Sequence, residues 1–460
     1  MEHNYLVHPD RPPHPSLVRL RAHIRRLSPL RLKGRVRRIH GPNVTVAGLE
    51  SVLRPGALCR IHGRAAHPPV LAEVLALEPS GARLLAYEDG PGLELGAEVE
   101  PEPLGLEVYP HPGWCGRVLD ALGQPLDEGG PLPEGDRPYR LQRPPPPPHK
   151  RRPLGPRLAT GVRALDLFVP CCEGQRLGIF AGSGVGKSTL LAMLARGAEA
   201  DVIVLALIGE RGRELQLFLH EVLGEDGLKR SVVVAATSDE PAMRRRRAAL
   251  LSMTIAEYFR DRGLRVLYLF DSVTRYAMAL REIHLAAGEL PASRGYPPSV
   301  FAELPRLLER PGTCAGPGSI TAFFSVLVEG DDFHEPITDT VRGTLDGHLV
   351  LDRTIAERGR FPAVNVLKSL SRTAPGCYRE EEREAVQRAR RLLAVWEEMA
   401  ELVDIGAYKP GANPELDEAL RLRPKLEALL HQDVEEPPTH GDPFRELQDI
   451  LDQAAGAESP

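Results

Sequence analysis

The sequence predicts an α/β protein in three parts: a small N-terminal β-barrel, a central parallel sheet covered by helices, and a C-terminal helical domain. Three observations predict it. Short β-like runs broken by Gly and Pro crowd residues 31–103. From residue 161 to about 372, apolar strand-like runs alternate with helical stretches, the pattern of a parallel sheet with crossover helices. After Ser371 a long stretch rich in Glu, Arg, Leu and Ala turns helical. The length of 460 residues, at about 150 per domain, agrees with roughly three domains.

Composition narrows the class further. Hydrophobic residues at 42% and charged residues at 26% suit a soluble globular chain. A net charge of −5 argues against a protein that lives by coating nucleic acid. Cys59, Cys115, Cys171, Cys172, Cys314 and Cys377 show no metal-ligand spacing, and the adjacent Cys171 and Cys172 suit neither zinc nor an ordinary disulfide. All six are expected to be reduced cytosolic thiols. The N-terminus lacks a signal-peptide pattern. The longest apolar run, residues 202–208, is far short of the roughly 18 residues of a membrane span. The expectation is a cytoplasmic protein that meets membranes only through partners or a surface helix.

Along the chain, residues 1–15 form a polar, proline-rich leader, and residues 16–27 read as a helix capped by Ser16. Leu17, Leu20, Ile24 and Leu27 fall on one stripe, with Arg19, Arg21, Arg25 and Arg26 off it. Such a helix packs on its own domain or docks on a coiled-coil-like partner or anionic surface; its place in a terminal segment, residues 1–30, favours docking. The barrel domain, residues 31–103, is built from runs at 35–39, 44–46, 57–61, 70–77 and 83–87. Its sole aromatic residue is Tyr87, so it lacks the stacking platform of a single-strand nucleic-acid barrel.

Residues 104–160 read as a connector. The five prolines at 144–148, followed by His149, Lys150, Arg151 and Arg152, force an extended path, as in a linker or, less favoured, an SH3-type ligand. Residues 161–375 form the central domain, with strands at 176–180, 202–208, 231–235, 266–270 and 321–328. Within it, Arg244, Arg245, Arg246 and Arg247 are expected on a solvated or inter-subunit helix face. Residues 376–435 carry helices at 380–403 and after Asn413; residues 436–460 read as a polar, acidic, partly disordered tail.

The chemistry begins at residues 181–188, AGSGVGKS, between an apolar strand and a helix bearing Leu190, Leu191 and Leu194. Strand, glycine-rich loop and helix make a phosphate-binding loop, and the central sheet a P-loop (RecA-like) domain. Gly182, Ser183, Gly184, Val185 and Gly186 let backbone N–H groups converge on phosphate oxygens, with the helix N-terminus adding partial positive charge. Lys187 is assigned to the β- and γ-phosphates and Ser188 to Mg²⁺, with Thr189 next in the helix. Ala181 replaces the first consensus glycine. Asp271, closing the buried run at 266–270, is the second metal-side group, and ATP with Mg²⁺ is the expected ligand. Glu210, just past the strand at 202–208, points where the attacking water belongs, and is the expected catalytic carboxylate. Glu214 stands behind it, as a helper or as part of a charge cluster with the nearby arginines.

At this point the blocks GQRLGIFAGSGVGKSTLLAMLAR, GERGRE, FDSVTRYAMALREI, GYPPSVFAELPRLLER, EGDDFHEPITDTVRGTLDGHLVLDR and LSR resemble the flagellum-specific export ATPases and their type III secretion relatives. The resemblance spans roughly residues 30–430. The YPPS at 296–299 and GDD at 330–332 look like the export branch rather than an ATP-synthase catalytic subunit, and residues 330–353 favour its flagellar side. It implies a homohexamer with ATP sites at subunit interfaces. It also implies Arg372 as an arginine finger reaching the neighbour's site, Phe361 packing on adenine where relatives usually carry Tyr, and Tyr408 closing the base's other side. A stator-like regulator would dock on the N-terminal helix, and export chaperones and substrates on the C-terminal helices. The protein would be cytoplasmic and peripheral to a membrane export gate at the inner-membrane export apparatus.

Two other readings compete: a catalytic subunit of a rotary proton-translocating ATPase, and an RNA-translocating ring helicase. A carboxylate at Glu210 argues against a non-catalytic synthase subunit, while the aromatic-poor barrel and acidic charge argue against nucleic acid.

Overall fold

The computed structural model describes residues 32–63, 67–88, 93–102, 107–328, 330, 332–333, 335–434, 436 and 442–455. The expected docking helix at residues 16–27 lies outside them. Two units divide the chain: residues 1–113 with 132–142, and residues 114–131 with 143–460.

In the first unit, β1 (Gly34–His40), β2 (Asn43–Ala47), β3 (Leu58–His62), β4 (Val70–Glu78), β5 (Gly81–Ala86) and β6 (Glu98–Glu102) close a barrel in the order β1-β2-β5-β4-β3-β6. β2 shows why: in NVTVA, Val44 and Val46 are buried and the residues between them are not, so the period-2 pattern fixes one face inward. Val36, Ile61, Val74, Leu84 and Val99 meet them in the core. Tyr87 is 2% exposed, with its hydroxyl donating to Glu73 at 2.8 Å, so its ring is a core element and no stacking surface.

The second unit is organised by a nine-stranded sheet. Its order is β14 (Leu370–Ser371), β13 (Gly347–Leu351), β8 (Arg176–Ala181), β12 (Ser319–Leu327), β11 (Arg265–Asp271), β9 (Val202–Glu210), β10 (Ser231–Thr237) and β7 (Arg117–Leu119), and the two-residue strand Gly312–Thr313 pairs with β12. The strands from β13 to β7 run parallel; β14 is antiparallel to β13. The five predicted strands are all present. Two partners were not legible as strands: β13 beside β8, and β7, which comes from within the stretch read as a connector. The end of the proline run is fastened to this unit, with Arg151 donating to the Pro311 carbonyl at 2.8 Å and Arg152 to that of Pro317 at 2.7 Å.

Helices α1 (Lys187–Gly197), α2 (Ala242–Asp261), α3 (Val273–Ala286) and α4 (Pro298–Leu308) accompany the sheet, and α6 (Glu380–Asp404) and α7 (Pro414–Leu430, capped by Asn413) follow a short helix, α5 (Arg353–Glu357). Three expectations need correction. Of the two settings expected for the arginines of α2, solvated or inter-subunit, the solvated one does not hold for Arg245 and Arg247, which are buried; Arg245 pairs with Glu282 at 2.8 Å. The C-terminal stretch, expected as a polar, partly disordered tail, holds a helix: Pro443–Ala455 forms α8. Asp442 accepts from the Phe444 amide at 3.0 Å to start it, and Phe444, Leu447 and Leu451 pack one face into the core shared with α6, α7 and α1. Finally, not all cysteines are thiols. Cys172 and Cys377 form a disulfide with Cα atoms 7.0 Å apart, leaving Cys59, Cys115, Cys171 and Cys314 free. Cys171 and Cys172 do not bond to each other, and alternation along this extended pair sends the two side chains different ways. Among the described residues, no helix is long and apolar enough to cross a membrane.

Candidate nucleotide-binding and catalytic site

Parallel neighbours end at the same edge of a sheet, and the predicted chemistry converges there. β8 lies between β13 and β12 and runs directly into the loop at 181–188. Ala181, the departure from consensus, is the last residue of that strand, paired with Leu327 and Leu351 and 1% exposed. Its methyl group is part of the core, which explains why it is tolerated. The glycine requirement falls further on: Gly184 and Gly186 have φ of 77° and 99°, which side-chain-bearing residues rarely adopt. Val185 between them is buried, so only its backbone faces the loop's interior. Gly186 caps α1, whose first N–H groups open onto the loop. Ser183, Gly184 and Ser188 are exposed.

Lys187 reaches back across this opening. Its Nζ donates to Asp271 Oδ1 at 2.6 Å and stands 3.5 Å from Glu210 Oε1. Burial works against its charge, but the Asp271 and Glu210 carboxylates outweigh burial and hold the ammonium above its ordinary value. Asp271, at the C-terminal end of β11, is 3% exposed and also accepts from Ser325 Oγ at 2.6 Å. Glu210 ends β9. Burial, reinforced by repulsion from Asp271 and a hydrogen bond with Glu214, raises its carboxyl to about 7 against the opposing pull of Lys187. A carboxylate that titrates near neutral pH is poised to exchange a proton with water. Glu214 also lies 3.6 Å from Arg211.

Among the described residues no cluster of three or more His, Cys, Asp or Glu side chains could cage a metal. One exposed hydroxyl, Ser188, and one buried carboxylate, Asp271, fit instead a hard cation that arrives with phosphates and keeps several waters.

Phe361 is beside the loop. A Cβ on Gly186 would lie 3.6 Å from its ring, and 36% of the residue remains exposed. Its carbonyl accepts from the Gln432 amide at 2.8 Å, which ties it to the segment after α7. Tyr408 lies in the segment between α6 and α7. Its hydroxyl hydrogen-bonds Asp417 at 2.9 Å and the Asn413 carbonyl at 3.1 Å, within the α6–α7 turn.

Arg372 is exposed and lies at the far edge of the sheet. Its amide donates to the Asp346 carbonyl at 3.0 Å, and the Asp346 carboxylate is held by Arg176, the first residue of β8. From Arg176 to Ala181 the strand rises about 17 Å, so Arg372 is separated from its own Lys187 by the strand's length. No carboxylate pairs with it among the described residues. Sequence reasoning missed Ser325, Gln175, Arg176 and Arg353, whose guanidinium donates to the Ser183 carbonyl at 3.1 Å. A hydroxyl in the middle of the apolar run at 322–328 was the available signal for Ser325, but strand order, which sets its neighbour, is not written in the sequence.

A phosphate-binding loop, a strand-end aspartate and a near-neutral glutamate on one edge of a parallel sheet define a P-loop nucleoside triphosphatase. Residues 161–371 match the nucleotide-binding domain of the ATP synthase alpha/beta family, and residues 378–449 match the T3SS EscN ATPase C-terminal domain. A flagellum-specific ATP synthase from Caulobacter vibrioides is 51% identical over 94% of this chain and 98% of its own. The assembled ATPase EscN of the enteropathogenic E. coli type III secretion system superposes with a TM-score of 0.85 at 39% identity, covering 91% of this chain and all of that one. EscN in complex with its central stalk EscO gives 0.82 at 38% identity, with the same coverage. The chain belongs to the family of flagellum-specific ATP synthases and type III secretion ATPases, and is an ATPase. The rotary-synthase and helicase readings are not favoured.

Proposed function

We propose that this chain hydrolyses Mg-ATP at the interfaces of a homohexameric ring and uses that hydrolysis to release chaperones and energise protein export. The observation that carries the reading is the separation of Lys187 from Arg372: one subunit holds the phosphates and presents its free arginine elsewhere. Backbone N–H groups of residues 182–188 would cradle the phosphates and Lys187 would leave Asp271 to bridge the β- and γ-oxygens, while Phe361 would stack on adenine. Ser188 and Asp271 would hold the Mg²⁺, which when bound supplies charge neutralisation on the phosphate oxygens. Glu210 would orient and deprotonate the attacking water. Arg372 of the next subunit would neutralise the charge on the transferring phosphoryl, an effect worth roughly 10³–10⁵ in rate.

EscN assembled with its central stalk EscO supports a ring around a stalk-like partner here. A regulator on the N-terminal helix, chaperones and cargo on the C-terminal helices, and peripheral attachment to an export gate in the cytoplasm complete the proposal. Glu210→Gln tests the chemistry: it should bind a fluorescent ATP analogue normally and lose turnover. Retained turnover would remove Glu210 from its role.

A further inference from the structure

Gln175 stands one residue ahead of β8, fully buried, and its amide forks across to the segment that bears Arg372. Nε2 donates to Ser371 Oγ at 2.9 Å, and Oε1 accepts from Thr373 Oγ1 at 2.8 Å and from the Cys172 amide at 2.9 Å. Ser371 and Thr373 flank Arg372 on both sides. With its neighbours' hydroxyls drawn inward, Arg372 is the residue left pointing out. A hydrocarbon side chain satisfies neither hydroxyl nor the amide, and a carboxylate would do so only by burying a charge, so the neutral amide is the side chain that fits. Burial keeps water from substituting for the missing partner.

We propose that Gln175 is a positioning residue for Arg372: from the foot of the phosphate-loop strand it aims the arginine that each subunit presents to its neighbour. The proposal rests on the shared-site reading above. It makes the strand that grips one nucleotide also the mount of the group acting on the next, so motion in β8 on nucleotide binding would be passed to Arg372 through two hydrogen bonds.

The test uses full-length protein. Gln175→Leu should lower kcat by about tenfold to a hundredfold, the scale of a misplaced catalytic group, with nucleotide affinity of the dilute subunit unchanged. Thr373→Val removes one partner from the other side and should cost less, about tenfold; it carries the test if Gln175→Leu does not fold. Each variant is then mixed with Lys187→Ala subunits, whose Arg372 and Gln175 are intact. Activity should recover as it does for Arg372→Ala in the same mixture, because the loop of one variant meets the sound arginine of the other. If Arg372→Ala recovers and the Gln175 and Thr373 variants do not, Gln175 serves its own loop or the fold, and the proposal is overturned. If Arg372→Ala does not recover either, the shared-site reading itself falls.

Discussion

Lys187 and Arg372 are two cations on one sheet, and their surroundings are opposite. Lys187 is enclosed between two carboxylates of its own chain, Asp271 at 2.6 Å and Glu210 at 3.5 Å, with its side chain 14% exposed. Arg372 is exposed at the other end of β8, with its backbone fastened and no carboxylate partner among the described residues. A charge that finds its partners within the chain acts within it. In the proposed reading, the open charge of Arg372 serves a ligand that the chain does not itself supply. The contrast also explains why the phosphate side is written in a contiguous motif while the arginine side is not. Residues 181–188 need local turn geometry, whereas Arg372 owes its placement to Asp346 and Gln175, far away in sequence.

The comparison can be broken from either side. Lys187→Ala should have the largest effect, lowering kcat/KM by more than about 10³-fold, since grip and transition-state charge are lost together; steady-state assays with nucleotide-binding controls would measure it. Arg372→Ala should lower kcat by about 10³-fold while leaving nucleotide binding by the dilute subunit intact. It should also abolish the rise of specific activity with protein concentration.

A smaller effect sharpens the Lys187 side. Burial raises the Glu210 carboxyl from 4.5 to about 7, and in the proposed role its working form is the ionised one. The pH profile of kcat/KM should therefore climb through about 7 to a plateau, a limb missing from the residual activity of Glu210→Gln. The stability sign is the reverse. The fold holds this proton more tightly than the unfolded chain, so Glu210's contribution falls as pH rises from about 4.5 to 7. Smallest, and purely structural, is the thiol count. Denatured, unreduced protein should titrate four thiols, and six would remove the bond between Cys172 and Cys377.

Much of this was legible in the sequence, for physical reasons. Barrel strands such as β2 carry period-2 burial, the glycines at 184 and 186 demand a left-handed turn, and Asn413 caps α7. What stayed hidden depends on partners distant in the chain. β7 is three residues long and is a strand only because β10 lies beside it. Cys377 finds Cys172 across 205 residues. The arginines of α2 look solvated until Glu282 and Glu303 are brought to them. The α8 helix was masked by acidic composition, although its Phe444, Leu447 and Leu451 spacing was visible. The partner of the Tyr408 hydroxyl, Asp417 in α7, was not legible either.

Mixing two inactive proteins tests the shared site most directly. Lys187→Ala and Arg372→Ala subunits, each nearly dead alone, should regain activity when co-assembled at equal amounts, since about a quarter of the ring's interfaces would then pair an intact loop with an intact arginine. A mixture no more active than its components would mean that both residues serve the same subunit's site, contradicting the account.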